Sequence, residues 1–537
     1  MGGDRRFGRA GTRRPAGPES GSAIATFELV LGVLLAAVLL SLVSARLGLP
    51  YAAVLAVGGA GLALVPGMPA FTVPPDLALA VFVAPILLDA AFDTSLRDLR
   101  DNWAPVTGLV VGAVAATTLG VALVARWLDP GLPWAAAVAL GAIVAPPDAA
   151  AATTILRTSP LPRRLKVILE GESLLNDASS LIILRLATLA AAGGITLAQA
   201  VPEFLLATLG SLVAGPALAW AYHHSLRRVE DVPSAVLLQF IGTFGVWILA
   251  EHLHLSAILT VVLYGITLAR LSPDRTPARL RVPSYAVWET ATLCLSVLAF
   301  ALIGLQIRPI VERLDGAALG RGAALAGLVL AAVVVVRIAW VMTWNTVVRW
   351  RARRNGGERT RRPMLAPTVR GGLIISWTGM RGVVTVAAAL SLPDAFPGRD
   401  LVVLAAFATV LGTLVLQGCT LGPLVRWLAL PDDGQATREL ALARRSALEA
   451  ALAHIDGDPS PAAKALRAEY RERLERVTDG AESRAIAHDA LRQGAVRAAR
   501  EALSRLRHGD EIGDDAYHAV EEDLDRLDLA AAQADTA

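Results

Sequence analysis

The stretch Ile168–Ser180, "ILEGESLLNDASS", places Glu170, Glu172 and Asp177 within eight residues, with apolar sequence on both sides. On a helix, Ser173 and Asp177 stand four residues apart on one face, and Glu170 lies above them. Glu172 and Asn176 form a second pair of the same spacing on the neighbouring face. The result is an oxygen-rich face beside a polar seam, and oxygen ligands suit hard cations. Glu170 lies near the start of its apolar block and reads equally well as a solvated side chain. Asp177 lies deeper and is followed by apolar sequence, so solvation does not explain it.

Four further groups carry polar chemistry inside apolar sequence. In "GAIVAPPDAAAATT", Pro146 and Pro147 fall mid-block with Asp148 directly after them. Proline lacks a backbone donor and clashes with the preceding turn, so the helix should break there and free its backbone groups. In "SWTGMRGVVTVAAALS", Arg381 stands between Gly379 and Gly382 and needs a partner, for which Glu172 is the first choice. In "APILLDAAFDTSLRDLR", Asp89 follows Pro85, while Asp93 lies nearer a loop and reads as solvated. Glu289 and Arg337 are each alone in an apolar block, and a structural pair between them is the favoured reading.

The elements that must hold these groups follow from composition. The 537 residues are 54% hydrophobic, and the mean hydropathy is +0.53. The apolar residues come in blocks of about twenty, the length of a bilayer-crossing helix. Thirteen such blocks lie between residues 25 and 428. They do not alternate as barrel strands do, so the fold class is an all-α polytopic membrane protein. An ionisable group at that depth costs about 2.5–3.5 kcal/mol on insertion scales and is a functional candidate by default. Two irregular spans far apart in sequence, around Asp148 and Arg381, suit an inverted-repeat design in which two broken helices cross.

Residues 1–22 are polar and rich in Arg, Gly and Pro, as disordered tails are. Residues 23–430 form the membrane domain. Residues 431–537 are charged and Ala/Leu-rich with helical spacing, which predicts a soluble helical domain. Arg157, Arg163, Arg164, Lys166, Arg227, Arg228, Arg270 and the cluster from Arg349 to Arg370 gather in loops on one side. That bias puts the C-terminus in the cytoplasm. Arg308, Arg313, Arg321 and the five Arg of the N-terminal tail run against it. Cys294 and Cys419 both lie in apolar blocks, so no disulfide framework is indicated. No basic surface suggests nucleic acid, and no nucleophile or His/Cys/Asp metal cluster in the spans suggests an enzyme or a bound cofactor.

"EGESLLNDA", the broken span with Asp148, "PILLDA" and "SWTGMRGVVTVAAALSLP" together resemble the sodium/proton exchanger branch of the monovalent cation/proton antiporters, the branch with an Asn-Asp pair in its ion-site helix. The "VWE…FALIGLQI" segment is also similar to bacterial members. The resemblance covers about residues 25–430. It implies a thirteen-span fold, a homodimer in the cell membrane, and a core domain that moves past a dimer domain. It implies that Asp177 binds the cation or the proton, that Asn176 supports the site, and that Ser173 adds a ligand to Na+. It further implies a buried ion pair between Glu172 and Arg381, and an acidic lining of the ion path at Asp89 and Asp148. One departure stands out: many members carry Thr or Val, then Asp, then Pro, whereas here the order is Pro147-Asp148-Ala149, with no hydroxyl before the Asp.

The expected function is therefore exchange of a monovalent cation, most simply Na+, for H+ by alternating access. A bare buried carboxylate is costly, so one site holds the proton or the cation in turn and crosses slowly when empty. One titrating carboxylate beside a neutral Asn176 suggests electroneutral exchange. The alternatives are a K+/H+ antiporter and a cation channel or uniporter.

Overall fold

The computed structural model describes residues 19–63, 74–148, 161–193, 197–225, 231–271, 278–312, 316–354, 368–431 and 433–479, with a few isolated positions beyond these. The N-terminal tail before residue 19, the segment after Asp148, the Arg cluster within 355–367 and the chain end beyond residue 479 lie outside the described residues, apart from those isolated positions. All regular structure among the described residues is helical.

The first helices are α1 (Glu19–Leu47) and α2 (Tyr51–Ala63). Next comes α3, built of Pro75–Ala78, a π-helical turn at Leu79–Val83, and Ala84–Asp93. The short α4 (Leu96–Asp101) leads into α5, which comprises Trp103–Thr107, a second π turn at Gly108–Ala113, and Val114–Leu128. Then follow α6 (Trp134–Val144), α7 (Arg163–Ala191), α8 (Leu197–Ser225), α9 (Val232–His252) and α10 (Ala257–Leu271). The rest of the membrane unit is α11 (Ala278–Leu305), α12 (Ile307–Glu312), α13 (Gly316–Arg354), α14 (Val369–Trp377), α15 (Val383–Leu390) and α16 (Arg399–Leu428). Beyond it, α17 (Gln435–Ile455) and α18 (Pro461–Asp479) belong to a separate compact unit that begins at Asp433.

Among the described residues seven helices are long and apolar enough to cross a bilayer, and four shorter apolar helices accompany them. The short ones include α2, with 13 residues, and α6, with 11. Both are below the ~20 residues a lone span needs. α6 stops where Pro146 and Pro147 withdraw two amides, and α2 is held by close packing. A methyl group on Gly304 of α11 would land 2.5 Å from the carbonyl carbon of Gly59 on α2. With no hydrophobic drive between helices in lipid, such close backbone approach supplies the packing contacts instead.

The buried apolar side chains form two clusters. The larger joins α5, α6, α13 and α16 through residues such as Val121, Leu140, Ile143, Val333 and Val410. The smaller joins α3, α9 and α10 through Leu87, Trp247, Val261 and Tyr264. Helices α7 and α15 belong to both. α7 gives Ile168 and Leu184 to the first and Leu174 and Ala178 to the second. α15 gives Val386 to the first and Ala387 to the second. The polar stretch of the sequence thus lies on a helix that packs into both clusters.

Candidate ion-binding site

The site begins with the two prolines. Without amides on Pro146 and Pro147, carbonyls of the last turn of α6 lose their intrahelical donors. Side chains of α7 take part of that load. Ser180 Oγ donates to the Ala142 carbonyl at 3.0 Å, and Asn176 Nδ2 donates to the Pro147 carbonyl at 2.8 Å. Asn176 and Ser180 are four residues apart, so one face of α7 clasps the broken end of α6.

The second interruption, Thr378–Gly382 between α14 and α15, meets the first directly. The Asp148 amide donates to the Met380 carbonyl at 2.6 Å. Arg381 is fully buried. Its Nε donates to the Val144 carbonyl at 2.8 Å and its Nη2 to the Ala145 carbonyl at 3.1 Å, while Nη1 reaches the Gly379 carbonyl. The guanidinium thus caps the negative end of α6, where free carbonyls and the helix dipole both favour a cation. The Arg381 amide is fixed in turn by Thr413 Oγ1 of α16 at 3.0 Å.

This geometry corrects the expected pairing of Glu172 with Arg381. Glu172 instead faces Arg337 of α13 in a bidentate ion pair, Nη1–Oε1 at 2.6 Å and Nη2–Oε2 at 2.9 Å, with both side chains 2% exposed. Arg337 Nη2 also donates to the Ile375 carbonyl of α14 at 3.0 Å. Arg381 is committed to orphaned carbonyls, leaving Arg337 to neutralise the carboxylate. The expected pairing of Arg337 with Glu289 falls for the same reason. Nor is Glu289 buried: it lies on an exposed face of α11.

Asp177 is 9% exposed, and the Asp148 carboxylate is its charged neighbour. Beside it, Asn176 is fully buried, and its Oδ1 has no hydrogen-bond partner in the structure. A buried acceptor left open in this way is costly unless a water or a cation meets it. Ser173 is half-buried one turn before Asp177, and Glu170 is exposed. Asp148 packs against the start of α15: a methyl group on Gly382 would fall 2.5 Å from its Cγ and 2.8 Å from its Cβ. Asp89 is half-buried on α3, and Asp93 is exposed. Leu181, one turn beyond Asp177, lines a cavity of about 460 Å3 together with Arg185, Glu203, Trp247, Glu251 and His254.

Sequence reasoning passed over three groups here. Ser180 carries the spacing signal, four residues after Asn176. Thr413 and the fully buried Gln417 are four apart on α16, with Thr409 one turn earlier, and form a polar stripe within an apolar helix. The role of Arg337 has no local signal, because it depends on which buried cation lies nearer in space.

A buried carboxylate beside the point where the end of α6 meets the break between α14 and α15, inside an apolar helical bundle, is an arrangement that suits an ion-coupled membrane transporter. Residues 32–427 match the family described as sodium/hydrogen exchanger, transmembrane. An uncharacterized Na+/H+ exchanger of Mycobacterium bovis, Mb2309, is 30% identical over 508 residues, spanning 89% of this chain and 91% of its own. A sodium, potassium, lithium and rubidium/H+ antiporter of Bacillus subtilis is 29% identical over 481 residues, spanning 84% of this chain and 70% of its own. The solved sodium proton antiporter MjNhaP1 of Methanocaldococcus jannaschii shares the fold, with a TM-score of 0.58 at 18% identity over 76% of this chain and 99% of that one. The chain belongs to the sodium/hydrogen exchanger family of transmembrane cation/proton antiporters.

Proposed function

We propose that Asp177 carries the exchanged ion, holding a sodium ion or a proton in turn. Asn176 Oδ1 and Ser173 Oγ complete the oxygen set around sodium, and Asp148 and Asp89 line the approach. The observation that carries this reading is the open Asn176 Oδ1 beside the buried Asp177, at the point where the two helix interruptions meet. A bare carboxylate there is costly, so the loaded forms cross and the empty one does not. α7 packs into both hydrophobic clusters, so a shift of one cluster relative to the other would act directly on Asp177, which supports alternating access. The cavity floored by Leu181 supports a water path to within one turn of Asp177.

The charges at the crossing support electroneutral exchange. Glu172, Asp148 and Asp177 oppose Arg337 and Arg381, which leaves one negative charge for one monovalent cation or one proton. The full reading is a thirteen-span inverted-repeat antiporter that acts without a cofactor or catalysis. It works as a homodimer in the cell membrane with residues 431–537 cytoplasmic, the side to which loop arginines point.

The test is cation-driven dequenching of a pH dye in proteoliposomes, with sodium, lithium and potassium compared. Sodium should collapse an imposed proton gradient in the native protein. Asp177→Asn should abolish the response while keeping the native thermal unfolding profile. A response to potassium alone would make the protein a K+/H+ antiporter, and ion flux without proton movement would make it a uniporter. Native exchange by Asp177→Asn would remove Asp177 from the mechanism.

A further inference from the structure

Away from the crossing, the described residues hold a second concentration of charge at the end of the bundle where α7 begins. Asp98 of α4 is buried and accepts from Arg163 of α7 at 2.6 Å and from Arg97 at 3.2 Å. Asn102 Nδ2 closes the same turn by donating to the Asp98 carbonyl at 2.8 Å. These bonds fix α4 to the start of α7. The outer side of α4 borders a cavity of about 370 Å3, lined by Leu96, Arg97, Arg100 and Asp101 and, from the last turn of α10, by Arg270. Arg97 and Arg163 are engaged with Asp98, whereas Arg100 and Arg270 enter no ion pair among the described residues. Both Arg100 and Arg270 are exposed, so they are open to a ligand from outside.

A bias of arginine toward one membrane side explains cationic loops. It does not explain three guanidinium groups from two separate helices converging on one hollow. Guanidinium groups pair bidentately with phosphate oxygens, and basic hollows between spanning helices at the membrane surface suit anionic headgroups. We propose that this cavity binds a phosphate group, supplied by the headgroup of an anionic lipid or by the free ion. Arg100 of α4 and Arg270 of α10 grip it, with Arg97 beside them. A bound phosphate would tie α4, which is anchored to α7, to α10 of the smaller hydrophobic cluster.

The test uses the full chain in neutral detergent, with thermal unfolding followed by tryptophan fluorescence at constant ionic strength. The probes are short-chain phosphatidylglycerol, short-chain phosphatidylcholine and inorganic phosphate. A ligand that binds the folded state raises the unfolding midpoint increasingly as its concentration exceeds its Kd. Phosphatidylglycerol should raise it and phosphatidylcholine should not. Arg100→Gln/Arg270→Gln should erase the rise, while the charge-matched pair Arg349→Gln/Arg354→Gln at the end of α13 should keep it. A rise with inorganic phosphate that needs Arg100 and Arg270 identifies the free ion as sufficient; a rise with the lipid alone identifies the headgroup. Should the double variant fail to fold, Arg270→Lys keeps the charge but loses the bidentate fork, and the lipid concentration that gives the same rise should increase about tenfold. The proposal is overturned if neither phosphate-bearing probe shifts the native protein. It is equally overturned if the Arg100/Arg270 variants respond as the native chain does, or if the control pair loses the rise as well.

Discussion

Removing one member of the Glu172–Arg337 pair strands the other charge in a dry site, because both side chains are almost wholly enclosed. Such losses cost about 3–5 kcal/mol, whereas replacing both partners by apolar groups costs far less. Glu172→Ala and Arg337→Ala should each lower the unfolding temperature in detergent markedly. Glu172→Leu/Arg337→Met should be more stable than either single variant. A double-variant loss equal to the sum of the two single losses would show that the pair is not a coupled unit. Arg381 acts differently, since its partners are the carbonyls of Val144, Ala145 and Gly379. The sequence shows two arginines and a glutamate in apolar surroundings but not which pair is in contact. The choice follows from the Val144 and Ala145 carbonyls left free where α6 ends, and those become visible only once α6 and the break after α14 are placed side by side.

Between elements, the junction of Asp148 with the start of α15 leaves no room for a side chain at residue 382. Gly382→Ala should therefore push the two interruptions apart, lower thermal stability and suppress exchange in proteoliposomes. Gly327 of α13 has open space where a methyl group would stand, with nothing within 4 Å. Gly327→Ala should be neutral or stabilising by about 0.5–1 kcal/mol, as alanine favours helix over glycine. A Gly382→Ala protein as stable and active as Gly327→Ala would contradict the packed junction. The interruptions themselves were legible, one from paired prolines and the other from glycines flanking an arginine. The facing direction of each span was not. A helix apolar all round has little contrast between faces, and so Glu289 reads as buried in sequence although it lies on the exposed side of α11. The polar face of α7 was legible for the opposite reason, because Ser173, Asn176 and Asp177 break an apolar pattern at helical spacing.

For the molecule as a whole, the two hydrophobic clusters both draw on α7 and α15, and the proposed ion site lies on α7. In the proposed cycle Asp177 holds sodium or a proton but not both, so sodium enters as the proton leaves. The most direct measurement is proton release on adding sodium to the purified protein in weakly buffered detergent solution, read with a pH indicator. The account predicts saturable release approaching one proton per native chain, and none from Asp177→Asn. Undiminished release from Asp177→Asn, or sodium binding to the native protein with no proton released, would contradict it.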